Sequence, residues 1–155
     1  MIKKLVDTNI FIDRFSNPSL YRDIFLSDGL VYLSSIVLME LKAGAHTKVA
    51  VRAVNDLYEF FRRVNRLCIP AQQDYERAGE IIANLQSKKG YDIKKCSSIT
   101  NDCLLAASAK GVGAILYTQN AKDFSAIHDV FDYKVRIVTP TTLTIPIRKH
   151  DILSD

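Results

Sequence analysis

Apolar and polar positions along the chain change their period several times, and each change marks an element. Residues Ile2 to Val6 predict a short strand, ended by Asp7-Thr8-Asn9, whose side chains cap and turn the backbone into a short helix. Asn17-Pro18 breaks that helix and suits the start of another through Tyr21 to Leu26, after which Asp28-Gly29 turns the chain. Leu30 to Leu33 predict a second strand, and Ser34 or Ser35 would cap a helix that carries Ile36 to Leu41 and closes near Gly44. From Thr47 to Val64, the residues Ala50, Ala53, Val54, Leu57, Phe60, Phe61 and Val64 recur at spacings of three and four, which predicts an amphipathic helix.

Leu67 to Ile69 predict a brief strand before Pro70, and Tyr75, Ala78, Ile82 and Leu85 share one face of a helix stopped by Lys88-Lys89-Gly90. The polar and basic stretch Tyr91 to Ser97 reads as an exposed connection, followed by a helix from Ser98 as cap to Lys110, with Gly111 as its C-terminal cap. Ala114 to Thr118 predict a buried strand, Asn120 to Phe124 a turn, and Val135 to Val138 a last strand before Pro140. Strands that alternate with helices favour an α/β layer structure with a mainly parallel five-stranded sheet, because parallel strands need crossovers and the crossovers are normally helices.

The chain has 155 residues, the size of one domain, and its 48% apolar and 25% charged composition excludes a disordered, collagen-like or coiled-coil rod protein. A net charge of +4 favours anionic partners without choosing one. Cys68, Cys96 and Cys103 form no CxxC pair, and an odd count fits reduced thiols in a cytoplasm. Asp7 and Asp13 interrupt the apolar N-terminus too early for a signal or a membrane span, so neither export nor a membrane is expected.

In an open parallel sheet ligands bind beyond the carboxyl ends of the strands, which directs attention to acids placed just after strands. Asp7 follows the first strand and Asp123 follows the strand ending at Thr118; taken singly, each also fits a turn or cap. Glu40 has apolar neighbours Ile36, Val37, Leu38, Met39 and Leu41, so it needs a cation, a hydrogen-bond partner or a cleft, and a salt bridge to lysine or arginine would equally serve. Asp102 opens a helix continuing as Cys103-Leu104-Leu105-Ala106-Ala107; a macrodipole contribution of ~0.3–1 kcal/mol would account for it, although Ser98 already supplies a cap. With right-handed crossovers, Asp7, Glu40, Asp102 and Asp123 meet at one edge. Clustered carboxylates stay ionised together only around cations, and an all-oxygen set suits Mg²⁺ or Mn²⁺ better than zinc. His46, His128 and His150 are scattered and form no competing zinc set.

Val6-Asp7-Thr8-Asn9-Ile10, Ser34 to Leu41 with Gly44 following, Asn101-Asp102 before Leu105-Ala106-Ala107, and Thr118-Gln119-Asn120 with Asp123-Phe124 stand in an order and spacing that carries a family resemblance. Over about residues 1–140 the chain resembles the PIN-domain nucleases, especially the small VapC-type toxins of prokaryotic toxin–antitoxin pairs. The resemblance implies a three-layer α/β/α fold over 1–140, a tail of unknown role over 141–155, and metal-dependent endonucleolytic cleavage of RNA leaving a 5′-phosphate and a 3′-hydroxyl. It assigns Asp7, Glu40 and Asp102 as metal-binding acids, with Asp123 at a more variable fourth position. Thr8, Asn9 and Asn120 match supporting positions, and Gln119 stands where an arginine is common. It further implies Mg²⁺ or Mn²⁺ as cofactor, homodimerisation, and a cognate antitoxin whose peptide would sit on the hairpin formed by the Thr47 to Val64 helix and the next one, most of whose apolar stripe is expected to be core.

Lys42, Lys48 and Arg52, beside the Glu40 helix, are candidate guides for an RNA backbone, with Lys94, Lys95 and Lys122 elsewhere, and each could equally be a solvated charge. Two other readings use the same residues. A non-catalytic PIN-like module would bind RNA or protein without cleaving. A haloacid-dehalogenase-like phosphatase would also place an Asp after its first strand, but expects an acid at the position held by Asn9 and gives Glu40 no role. The identity of the RNA, the number of ions and whether Asp123 is a direct ligand stay open at this point, as does toxin against processing role.

Overall fold

The computed structural model describes residues 1–140, so the tail at 141–155, including His150, lies outside the described residues. Twelve elements follow in the order β1 (Lys3–Val6), α1 (Thr8–Ser16), α2 (Arg22–Leu26), β2 (Leu30–Ser34), α3 (Ser35–Gly44), α4 (Lys48–Arg63), β3 (Leu67–Cys68), α5 (Gln72–Lys89), α6 (Ser98–Gly111), β4 (Ala114–Thr118), α7 (Ala121–Val130) and β5 (Val135–Ile137). The five strands form one sheet in the order β3-β2-β1-β4-β5, and every neighbouring pair is parallel. Helices α5, α6 and α7 pack together on one side, and α1, α3 and α4 on the other, giving the expected three layers.

This order sets the position of the site. From β1 the chain winds outward through β2 to β3, and it then returns to β4 on the opposite side of β1 before continuing to β5. The winding direction reverses between β1 and β4, and such a reversal opens a crevice at the carboxyl ends of the two strands. Val6 pairs with Tyr117 in that register, and the amide of Asp7 donates to the Tyr117 carbonyl at 2.9 Å. The next residues out, Asp7 and Thr118, therefore face the crevice mouth side by side.

The strands are buried on both faces as parallel strands require, with Leu5, Val6, Leu33, Leu116 and Val135 fully buried. Lys4 departs from that apolar pattern: it is only 2% exposed, and its amine donates to the Ile24 carbonyl at 2.9 Å and to Ser27 Oγ at 2.7 Å. Burial, then the Arg136 charge, lowers its pKa.

Several local expectations are corrected. Asn120 to Phe124, expected as a turn, opens the ten-residue helix α7, with the Asn120 side chain capping it at the Asp123 amide. Ser98, expected as a cap, is the first residue of α6; Ser97 precedes it in helical geometry and makes no side-chain cap. Asp102 consequently lies in the second turn of α6, where the macrodipole explanation weakens. Gly111, expected beyond the helix end, is its last residue, and Gly113 adopts the positive φ of 69° that turns the chain into β4. Along α4, Val54 and Phe61 are buried and Ala50, Ala53 and Leu57 half-buried, whereas Phe60 and Val64 are 52% and 41% exposed.

Candidate metal centre

Asp7 ends β1 in extended geometry and becomes the N-cap of α1, a switch that leaves its carboxylate on the crevice side. One oxygen accepts from the Thr8 amide at 2.8 Å and the other from Thr118 Oγ1 at 2.7 Å. Burial raises its pKa, the Thr118 and Thr8 hydrogen bonds pull it back down, and the Glu40 charge raises it again. Thr118 is fully buried and also accepts from the Asn120 amide at 3.0 Å, so it ties Asp7 to the loop between β4 and α7. Its position as the last residue of β4 was the signal in the sequence; its role as a link was not visible there.

Glu40 projects from α3, which Ser34 caps at the Ile36 amide. Of the alternatives open for Glu40, the structure shows a hydrogen-bond partner and, among the described residues, no salt bridge. Glu40 is half-buried on a helix whose Met39 is 52% exposed, and its partner is a neutral hydroxyl, Thr8 Oγ1 at 2.8 Å. Thr8 thus joins two of the acids, through its amide to Asp7 and its hydroxyl to Glu40.

Asp102 is 8% exposed within a helix whose Ile99, Cys103, Leu105 and Ala106 are all buried. Among the described residues it has no hydrogen-bond donor and no ion-pair partner, and none of the four acids is paired with a lysine or arginine. Burial, then the charges of Asp7, Asp123 and Glu40, pushes its carboxyl up to about 8. That mutual influence places all four acids in one field.

Asp123 lies in the first turn of α7, with one oxygen accepting from the Tyr91 hydroxyl at 2.8 Å and the other from Asn120 Nδ2 at 3.0 Å. Asn120 thus stands beside Asp123. Asn9 is exposed and stands outside this hydrogen-bond network. Tyr91 belongs to the stretch expected as an exposed connection, but Tyr91, Ile93 and Cys96 are half-buried and pack against the core. A second network backs the loop after β4. Asp13 accepts from the Tyr21 hydroxyl at 3.1 Å and from the Gln119 side-chain amide, and Tyr21 is 1% exposed. Gln119 therefore braces the site loop against α1.

Of the cationic candidates, Lys42, Lys48 and Arg52 are exposed; Lys42 donates to Asn55 at 3.3 Å, and Lys48 and Arg52 line a cleft of about 540 Å³ with His46. Ala45 belongs both to that cleft and to a depression of about 240 Å³ that contains Glu40. Lys94, Lys95 and Lys122 are also exposed.

The donor set consists of carboxylate, hydroxyl and amide oxygens, the kind that hard divalent cations accept. Among the described residues no three His, Cys, Asp or Glu side chains converge closely enough to enclose an ion as they stand. The fit therefore rests on chemistry: a buried acid without a counter-charge, amid three others, is the environment a divalent cation stabilises. Among the described residues no helix is long and apolar enough to cross a membrane.

Comparisons with known proteins show similar chains. A chain of VapBC from Salmonella typhimurium, solved bound to DNA, is similar at 27% identity and a TM-score of 0.61, over 80% of this chain and 91% of that one. A chain of VapBC-1 from nontypeable Haemophilus influenzae is similar at 28% identity and a TM-score of 0.60, over 83% and 94%. A chain of VapBC2 from Rickettsia felis, bound to a promoter DNA fragment, reaches 25% identity and 0.59, over 79% and 91%. A comparison with curated proteins finds no match. The PIN domain model matches residues 4–129, a span that begins in β1, ends in α7 and contains all four acids, and the chain therefore belongs to the PIN domain family.

Proposed function

We propose that this protein is a divalent-metal-dependent endoribonuclease and the toxin of a toxin–antitoxin pair. The observation that carries the reading is Asp102, a buried acid that has no donor or counter-ion among the described residues and lies in the field of three more acids. Asp7, Glu40 and Asp102 would hold Mg²⁺ or Mn²⁺, with Asp123 as the fourth acid. When bound, such an ion acidifies water and neutralises charge that develops on a phosphodiester. The chain's own residues prepare that chemistry. Thr118 and Thr8 hold the Asp7 carboxylate at both oxygens, Thr8 steadies Glu40, and Asn120 and Tyr91 grip Asp123. Lys42, Lys48 and Arg52 would guide the RNA backbone through charge, without reading its sequence. In-line attack of water on phosphorus would leave a 5′-phosphate and a 3′-hydroxyl.

The VapC-type resemblance and the VapBC neighbours support the toxin role and a cognate antitoxin partner. A homodimer follows from the same resemblance. The three free cysteines suit a cytoplasmic setting. The test is cleavage of structured and single-stranded RNA with Mn²⁺ or Mg²⁺, with and without chelator, by wild type, Asp7→Asn and Asp102→Asn. Cleavage that disappears with chelator and with either substitution is expected. Cleavage indifferent to all three rejects the metal mechanism, and RNA binding without cleavage rejects the enzyme in favour of a binding module.

A further inference from the structure

Asp123 and Asp102 face each other's charge from different helices, yet their surroundings differ in kind. Asp102 has no donor among the described residues, whereas Asp123 has a donor on each oxygen, Tyr91 on one and Asn120 on the other. Two donors on opposite oxygens fix the plane of a carboxylate as one donor cannot. Both are neutral, so they orient the group without cancelling the charge that a cation would need.

Tyr91 is itself held firmly. The chain leaves α5 through Gly90, whose positive φ of 69° turns it back, and the Tyr91 amide then donates to the Leu85 carbonyl at 3.2 Å. On the other side, Asp92 closes a tight turn: its side chain accepts from the Lys94 amide and its carbonyl from the amides of Lys95 and Cys96, each at 3.0 Å. Ile93 and Cys96 pack inward while Lys94 and Lys95 stay exposed. This stretch is a buttress between α5 and α6, and the phenol of Tyr91 hydrogen-bonds from it to the acidic centre.

We propose that Tyr91 is a positioning residue for the reaction, holding the Asp123 carboxylate in the orientation in which it joins Asp7, Glu40 and Asp102 around a divalent ion. This rests on the nuclease reading above. The hydroxyl is what matters; the ring is packing.

The experiment compares wild type, Tyr91→Phe, Asp123→Asn and the double variant, in two assays: Mn²⁺ binding by calorimetry without RNA, and RNA cleavage across a Mn²⁺ titration. Removing a hydrogen-bond partner that orients a metal-binding group typically costs about tenfold or more in affinity or activity. Tyr91→Phe should therefore raise the Mn²⁺ dissociation constant and the half-saturating Mn²⁺ for cleavage about tenfold, leave KM for RNA unchanged, and add nothing in the Asp123→Asn background. Equal Mn²⁺ affinity in Tyr91→Phe and wild type overturns the proposal, and so do effects of the two substitutions that multiply. If Tyr91→Phe weakens Mn²⁺ binding while wild type cleaves no RNA, the positioning role stands and the nuclease reading falls. If wild type cleaves and Tyr91→Phe matches it at every Mn²⁺ concentration, the nuclease reading stands and the positioning role falls.

Discussion

Asp102 is a residue whose charged form works against folding. Its carboxyl is raised from an ordinary value near 3.8 to about 8, first by burial and then by Asp7, Asp123 and Glu40. Between those limits the native chain keeps a proton that the unfolded chain has released, so stability falls as pH rises through this window, and the penalty is complete above about pH 8. Metal-free wild type should accordingly lose melting temperature between pH 5 and pH 8. Asp102→Asn should remove most of that slope and melt higher at pH 8, by on the order of 5 °C, while losing cleavage. Thermal scans at a series of pH values check this, and an unchanged slope in Asp102→Asn sinks it. Asp7, Glu40, Asp102 and Asp123 were legible in the sequence because each follows a strand end or interrupts an apolar run. Tyr91 was not, since its partner lies 32 positions away and its neighbours are polar.

At the level of elements, the alternation of strands and helices was readable because buried parallel strands and amphipathic helices differ in period. Boundaries were less so. Asn120 and Asp123 have the composition of a turn, and only the hydrogen bonds between them make that segment the first turn of α7. Gly111 illustrates the same point. Glycine to alanine within a helix normally adds about 0.5–1 kcal/mol of stability, but here a Cβ would lie 2.5 Å from Oδ1 of Asp74, on the neighbouring α5. Asp74 is 4% exposed and its other oxygen accepts from the Ala71 amide at 2.8 Å, so it has little room to yield. Gly111→Ala should therefore destabilise, by about 1–3 kcal/mol, in denaturant titrations. A gain in stability would mean that α5 and α6 are less tightly fitted than this contact indicates.

For the molecule as a whole, the acids constitute a store of repulsion that the proposed cation would release. Mn²⁺ at a hundredfold excess over its dissociation constant should stabilise the protein by about 2.7 kcal/mol, roughly 5–10 °C in melting temperature for a domain of this size. At one fixed Mn²⁺ concentration the gain should be larger at pH 8 than at pH 6, because Asp102 must release its proton to take a cation. Thermal scans with Mn²⁺ and after chelation measure this, and Asp102→Asn should respond little at either pH. An equal response at both pH values would exclude Asp102 from the ion's surroundings. The sequence by itself determined the class of fold and singled out the four acids as candidates, because hydrophobic period and chain order are local properties. Only the tertiary structure decided that the winding reverses between β1 and β4, that Thr8 and Thr118 link the acids, and that Tyr91 reaches Asp123. Those facts depend on which strands pair and how helices pack, and pairing is chosen by the burial of the whole chain at once.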